Sequence, residues 1–168
     1  MIAIDAQVEQ ELLRLVEDEG RYLDAHKWDE WLALLSDDVV FWIPAWKSTN
    51  ELTTDPESEV SLIYYEGQRR LEERVWRVRS GNSISSTPLA RTLHGVSHAR
   101  FDQDGADRAT GTANWTVHLF DPRTSNQHVF FGRYEYAFVR QAAGWRIARK
   151  KIILLNDHIP TFLDFYTV

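Results

Sequence analysis

The sequence predicts an α+β protein in which helices from the first third of the chain pack on a curved antiparallel sheet formed by the second half. In the first third, apolar side chains recur at steps of three and four residues, a spacing typical of helices. In the second half they alternate with polar side chains, as along strands with one buried face. Helices followed by several strands favour an α+β fold, and 168 residues suit a single domain, 1–168.

The first third predicts two helices and a strand. Val8–Leu23 provides an apolar helical face, and Asp5 just before it can accept hydrogen bonds from the first free N–H groups. Trp28–Leu35 places aromatic and aliphatic side chains on one side of a second, shorter helix. Val39–Ile43 is an apolar run typical of a buried strand, which Pro44 ends because proline has no N–H to donate.

The middle of the chain combines loops with a third helix. Lys47–Pro56 is polar and irregular and is predicted to be a loop, whereas Ser61–Tyr65 fits either a strand or a helix. Arg69–Arg79 is predicted to be helical because it carries an apolar stripe, and Ser80–Pro88 is predicted to be a connector. The stripe consists of Leu71, Val75 and Val78.

Four long strands are predicted after the connector. They are Arg91–Phe101, Ala109–Phe120, His128–Val139 and Trp145–Leu155, and an Asp-Gly pair marks a turn at 102–105. The second strand shows the clearest alternation. One face carries Ala113, Trp115, Val117 and Leu119, and the other carries Thr112, Asn114, Thr116 and His118.

The composition of the chain excludes several classes of function. A net charge of −6 argues against nucleic-acid binding, which usually goes with a basic excess. No apolar run approaches the ~20 residues of a membrane span, and the N-terminus lacks the features of a secretory signal. We therefore expect a cytoplasmic protein that binds neither nucleic acid nor membrane. The chain has no cysteine, which excludes a Rieske cluster on it, because that cluster needs two cysteines and two histidines.

One trio of residues has the composition of an iron site. His94, His98 and Asp102 are spaced four and four, and two histidines with one carboxylate can hold non-haem iron. Their surroundings favour a strand, however, and residues four apart on a strand are separated by about 13 Å. A single metal ion cannot be held across that distance, so we expect side chains on a sheet face and no metal or other cofactor on this chain.

A second group of titratable residues lies near the first helix junction. Asp24, His26 and Asp29 could perform acid–base chemistry if a His–Asp pair were in contact, which the spacing does not establish. The simpler interpretation is solvated helix ends. A stand-alone enzyme would instead line a cavity with a His–Asp or Tyr–Asp pair, for which Tyr22, Asp24 and His94 are the candidates.

Two segments are candidate subunit interfaces. Arg70, Arg74 and Arg77 form a basic stripe at helical spacing, which is either a solvated face or a contact to an acidic partner subunit. The C-terminal residues are apolar and aromatic, and each large side chain left in water would forgo about 1.5–3 kcal/mol. We expect them to pack on their own domain or on another chain. They are Phe162, Leu163, Phe165 and Tyr166.

Several segments resemble known proteins. The run 22–44 is similar to the helix–helix–strand opening of the NTF2-like superfamily, which has a cystatin-like cone of a curved sheet folded over helices. Later segments resemble the small (beta) subunit of bacterial aromatic-ring-hydroxylating dioxygenases, in the branch acting on benzoate, toluate and anthranilate. These segments are Ser61–Tyr65, Leu71–Arg79, Thr87-Pro88, Arg91–His94, Leu154–Asp157 and Leu163–Tyr166.

The resemblance implies a non-catalytic structural subunit in an α3β3 heterohexamer. In that family the alpha subunit carries the Rieske 2Fe-2S cluster and the mononuclear non-haem Fe(II), and NADH supplies electrons through a reductase. The expected reaction is cis-dihydroxylation of a benzoate-like aromatic carboxylate. Two alternatives stay open: a stand-alone NTF2-like isomerase, dehydratase or cyclase, and a binding or scaffold domain without enzyme activity.

Overall fold

Three α-helices and a short 3-10 helix lie in the part of the chain that the computed structural model describes. This part is residues 4–168, without the side chain of Ser85, so positions 1–3 of the predicted domain lie outside it. The helices are α1 (Ala6–Asp24), α2 (Trp28–Leu32), α3 (Gln68–Arg79) and the 3-10 helix Ile84–Ser86. No helix in residues 4–168 is long and apolar enough to cross a membrane.

Within residues 4–168, six strands form one large sheet in the order β4-β1-β8-β7-β6-β5. Neighbours pair antiparallel except β1 and β8, which run parallel, so the expected antiparallel sheet contains one parallel pair. β2 and β3 form a separate two-stranded hairpin. The strands are β1 (Leu35–Pro44), β2 (Trp46–Ser48), β3 (Glu51–Leu52), β4 (Ser61–Glu66), β5 (Arg91–Asp104), β6 (Arg108–Asp121), β7 (Asn126–Gln141) and β8 (Gly144–Leu154).

The predicted capping and burial of α1 are confirmed. The side chain of Asp5 accepts hydrogen bonds from the N–H groups of Gln7 and Val8, at the start of the helix. The buried face of α1 packs mainly against the edge strand β5. The predicted alternation of β6 is also confirmed, because every second side chain from Ala109 to Asp121 is buried.

Three elements differ from the sequence prediction. The second helix ends at Leu32, not Leu35, because Leu35 already pairs with Ile147 of β8 as the first residue of β1. The predicted loop 47–56 contains the short β2–β3 hairpin. Ser61–Glu66, which fitted a strand or a helix, is the edge strand β4 and pairs with β1.

One glycine is required by the close approach of two strands. A Cβ atom on Gly132 of β7 would overlap the carbonyl oxygen of Ile153 in β8. Gly132 pairs with Leu154 at the end of the β7–β8 ladder, where the chain leaves the sheet toward its C-terminal segment. The missing side chain therefore lets this segment start close to the sheet.

Candidate functional site

The C-terminal segment folds back into the chain's own core. Phe165, Tyr166 and Val168 are fully buried. The ring of Phe165 stacks on Trp31 at a centroid distance of 4.9 Å, and the hydroxyl of Tyr166 donates to Ser86 Oγ at 3.2 Å. The segment was expected to pack either on its own domain or on another chain. These three side chains pack on their own domain and therefore lie in its interior.

The remaining two tail candidates lie closer to the surface. Phe162 and Leu163 are partly buried and pack against the edge of the core. The ring of Phe162 lies beneath the guanidinium of Arg123 at 6.0 Å. These two side chains remain candidates for an interface.

Arg74 ties helix α3 to the C-terminal segment. Its Nε donates to Asp164 Oδ1 at 3.1 Å, and its Nη2 donates to Asp164 Oδ2. Nη2 also lies 3.4 Å from the hydroxyl oxygen of Ser83. The hydrogen bond to Asp164 raises the pKa of Arg74. Arg74 is thus engaged within the chain, and the predicted basic stripe does not act as one surface.

The other two arginines of the stripe are exposed. Arg70 and Arg77 form no salt bridge with the side chains described in residues 4–168. Between them on α3 lies Trp76, whose side chain is 62% exposed. Trp76 was not among the predicted site residues, although a tryptophan between the polar positions of an amphipathic helix is a detectable signal. Tryptophan and arginine are the residues most enriched at interface hot spots.

Asp24 and His94 are in contact, 70 residues apart in sequence. His94 Nδ1 donates to Asp24 Oδ1 at 2.6 Å, the main-chain N–H of His94 donates to Asp24 Oδ2 at 2.9 Å, and Thr92 Oγ1 donates to Asp24 Oδ1 at 2.9 Å. Burial opposes ionisation of Asp24, but the hydrogen bonds from His94 and Thr92 outweigh it and hold the pKa of Asp24 below its ordinary value.

The histidine of this pair is covered by the rest of the chain, whereas the side chain of Asp24 is 21% exposed. The side chain of His94 is 3% exposed, and its Nε2 lies 3.4 Å from the main-chain oxygen of Val168. On the helix side, Gly20 of α1 approaches so closely that an added Cβ would meet the Cβ of His94 at 3.0 Å. The pair joins the end of α1 to strand β5 rather than lining an open cavity.

The other titratable candidates do not assemble into a site. His98 is exposed, has a left-handed φ of 55°, and lies 3.1 Å from the hydroxyl of Ser97. Asp29 pairs with Arg79 at 2.9 Å, and His26 stacks on Trp28. Within residues 4–168, no three His, Asp or Glu side chains are grouped as metal ligands.

A buried charge network lies at the centre of the molecule. Glu19 accepts hydrogen bonds from Lys150 Nζ at 2.9 Å and from the hydroxyl of Tyr136 at 2.9 Å. The side chains of Lys150 and Glu19 are 1% and 2% exposed. Burial lowers the pKa of Lys150, although its partner Glu19 opposes this shift. The pKa of Tyr136 is raised well above its ordinary value, mainly by burial and secondarily by the charge of Glu19. In the sequence, this network is indicated by Glu19, a charged residue on the apolar face of α1.

The fold and these contacts define a class of protein: helices packed on a curved, open sheet, with the space between them filled by the chain's own side chains. A solved NTF2-like protein with a cystatin-like fold from Novosphingobium aromaticivorans matches this chain with a TM-score of 0.60. The match covers 92% of this chain and 86% of that one at 17% identity, a likeness that shows the fold alone. The predicted NTF2-like α+β fold is confirmed.

The chain belongs to the ring hydroxylating beta subunit family, whose profile matches residues 18–161. The small subunit of 2-halobenzoate 1,2-dioxygenase from Burkholderia cepacia is 37% identical over 150 residues, covering 89% of this chain and 90% of that protein. The crystal structure of the beta subunit of benzoate 1,2-dioxygenase from Burkholderia mallei matches with a TM-score of 0.78 at 28% identity, over 100% of both chains. The resemblance to the benzoate branch of these beta subunits is confirmed.

Proposed function

We propose that this chain is the non-catalytic beta subunit of a Rieske non-haem iron dioxygenase that cis-dihydroxylates a benzoate-like aromatic carboxylate. Two of its relatives are named for benzoate and 2-halobenzoate, which share a carboxylate on an aromatic ring. The substrate class follows from this shared chemistry. Within the enzyme, the contribution of this chain is to support assembly and to stabilise the large subunit.

The redox chemistry is assigned to the large alpha subunit. That subunit holds the Rieske 2Fe-2S cluster and the mononuclear Fe(II), and it receives two electrons from NADH through a reductase. Molecular oxygen and two protons complete the formation of the cis-dihydrodiol. This chain has no cysteine with which to ligate a Rieske cluster. We place the assembly, an α3β3 hexamer, in the cytoplasm.

The observation that supports the non-catalytic role is the burial of His94 in the Asp24–His94 pair. A general base must reach the proton that it abstracts, directly or through one water molecule. Here the ring of His94 is 3% exposed and lies beneath Val168. The hydrogen bonds of Asp24 go to β5, so they support a role in holding α1 against the sheet.

Co-expression with the large subunit tests the proposal. We expect the two chains to co-purify in equal amounts, and the complex to consume O2 with NADH, a reductase and benzoate. The isolated beta chain should contain no iron and turn over no substrate. Iron held tightly by the isolated chain, or association with no Rieske protein, would contradict the proposal.

The His94→Gln variant separates a structural role from a catalytic one. In the complex, we expect kcat per alpha subunit to be unchanged once the variant is assembled, although the thermal stability of the complex falls. If this chain were instead an isomerase, dehydratase or cyclase, the pure chain would catalyse a metal-free reaction that the substitution abolishes. Asp18→Asn, at a partly exposed carboxylate of α1 one turn before Tyr22, is the control.

A further inference from the structure

The exposed side of α3 has the composition of a docking surface. Trp76 is 62% exposed, and Arg77 beside it and Arg70 nearby form no salt bridge with the described side chains of residues 4–168. A hollow of about 710 Å³ runs along this side of the helix. We call this surface, Arg69–Arg79 outside the buried stripe, the α3 face. A large aromatic side chain among arginines is typical of an interface anchor.

A groove on the opposite side of the sheet from the helices offers a matching receptor. A cavity of about 480 Å³ opens between β6, β7 and β8, and the small side chains of Ala137, Val139 and Ala148 line it. A second cavity of about 310 Å³ continues it and shares Thr110 and Ala137. We call the two together the outer-sheet groove. Small side chains leave room there for a large apolar group from outside.

The two surfaces carry opposite charge. The outer-sheet groove is lined by four carboxylates against two guanidinium groups, and Asp102 and Asp104 form no ion pair with the described side chains. Arg149 is partly engaged, because its guanidinium lies over the ring of Trp42 at 5.6 Å. The carboxylates are Asp38, Asp102, Asp104 and Glu135, and the guanidinium groups are Arg108 and Arg149.

The α3 face has the reverse balance. Besides Arg74, which is engaged by Asp164, four arginines lie along it against the two carboxylates Glu72 and Glu73. Arg69 is paired with Glu73, and Arg79 is paired with Asp29 of α2. The α3 face thus carries an excess of cations, and the outer-sheet groove carries an excess of anions. Charge complementarity of this kind fixes orientation and speeds association.

The groove and the α3 face lie on neighbouring parts of one chain. Asp38 lines the groove and also a hollow of about 630 Å³ that contains Arg70 at the start of α3. Helix α3 packs against β1 and β4 through its buried side, so it cannot turn its outer face into the groove of the same chain. A contact between the two surfaces must therefore join different copies, head to tail.

We propose that a second copy of this chain docks its α3 face in the outer-sheet groove, with Trp76 as the apolar anchor between Ala137, Val139 and Ala148. Two different surfaces in contact give a heterologous interface, which closes into a ring when the rotation per copy divides a full turn. The inference rests on the proposed function in that an α3β3 hexamer brings copies of this chain together.

Cysteine cross-linking in the co-expressed complex tests the contact, because the chain itself has no cysteine. Glu72→Cys lies on the α3 face and Thr110→Cys lies in the groove, and both positions are exposed. When a tagged Glu72→Cys chain and an untagged Thr110→Cys chain are assembled together, a short bismaleimide should join the two. Each variant alone should give no beta–beta product. Val60→Cys, exposed on the loop before β4, replaces Glu72→Cys in the matched control.

Several outcomes would overturn the inference. Cross-linking of Glu72→Cys to itself would indicate a two-fold contact, and cross-linking to the large subunit would assign the α3 face to that partner. Absence of the mixed product in an intact complex would contradict the contact directly. Failure of the alpha and beta chains to co-purify would instead contradict the proposed function. Failure of the inferred contact and failure of the proposed function therefore give different results.

Charge reversal gives an independent test in the same complex. We expect Trp76→Ala to weaken association between beta chains about thirtyfold, and Arg77→Glu or Asp104→Arg to weaken it about tenfold. Both reversals in one chain should restore the contact, because each cation then faces an anion again. Dissociation into smaller units on dilution, followed by mass photometry, measures the effect. If the chain with both reversals lost as much association free energy as the two single variants together, or more, the proposed pairing of Arg77 with Asp104 would be contradicted.

Discussion

The C-terminal segment and the outer face of α3 each contain aromatic side chains, but these are buried to very different extents. Both combine aromatic and charged residues, and both are interface candidates from sequence. The structure buries Phe165 and Tyr166 completely, whereas Trp76 on α3 is 62% exposed. Arg74 lies between the two regions and is engaged by Asp164. Aromatic content therefore indicates that a side chain will be covered, but the tertiary contacts decide whether its own chain covers it.

The largest expected effect comes from the buried anchor of the C-terminal segment. Phe165→Ala removes the ring that stacks on Trp31 and leaves a cavity, so we expect the free energy of unfolding to fall by about 3–5 kcal/mol. Trp76→Ala in the isolated chain should change it by less than about 0.5 kcal/mol. Urea denaturation of the purified chain measures both. Equal effects would show that the two regions do not differ in burial.

The buried charge pair should be nearly as sensitive. Glu19→Gln leaves Lys150 without a counter-ion in the core, which costs about 3 kcal/mol or more. Replacing both residues together, Glu19→Gln with Lys150→Met, should recover much of this loss, because no unpaired charge then remains buried. A double variant as unstable as the single one would mean that the pair is needed for packing rather than for charge balance. Thermal unfolding of the three chains supplies the comparison.

Replacing Arg74 should reduce stability more than replacing either of the other two arginines of its stripe. Arg74→Ala leaves the buried carboxylate of Asp164 without its partner, and we expect a loss of about 2–3 kcal/mol. Arg70→Ala and Arg77→Ala remove exposed groups and should change the free energy of unfolding by less than about 0.5 kcal/mol. The same denaturation assay distinguishes them. If all three variants lost similar stability, the stripe would act as one structural unit.

A pH dependence is expected from the Asp24–His94 contact. The pKa of Asp24 is lower in the folded chain than in the unfolded chain, so its ionisation stabilises the folded chain above the unfolded pKa near 3.8. This contribution is lost as pH falls through the folded pKa. Asp24→Asn should therefore be less stable than the parent at pH 7, by about 1–2 kcal/mol, and the difference should narrow in acid. A constant difference from pH 7 to pH 2 would contradict the assignment.

The smallest effect is expected on the exposed side of α3. Arg69 pairs with Glu73 at 3.4 Å, and both side chains are largely exposed. Removing the pair with Glu73→Ala should cost at most about 0.5 kcal/mol, and less in high salt. Thermal unfolding at low and high salt measures this limit. A loss above 1 kcal/mol would mean that the outer face of α3 contributes to the fold, which would weaken its assignment as a free surface.

Local features were predictable from sequence because their causes are local. Asp5 caps α1 three residues before Val8, and the two faces of β6 follow from alternation along one strand. The family was recognisable from short segments, such as Ser61–Tyr65 and the C-terminal residues. The end of the second helix was not predictable, because Leu35 pairs with Ile147, a residue that is distant in the sequence.

The sequence by itself determined the types of the main elements, the lack of cysteine ligands and the need to cover an apolar C-terminal segment. Only the tertiary structure decided which groups meet: Glu19 with Lys150 across 131 residues, Arg74 with Asp164 across 90, and Asp24 with His94 across 70. The physical reason is that periodicity reports which face of an element is buried, whereas these pairs depend on how the helices, the strands and the C-terminal segment pack together. The insertion of β1 parallel to β8, and the return of the chain over His94, are set by the packing of the whole molecule.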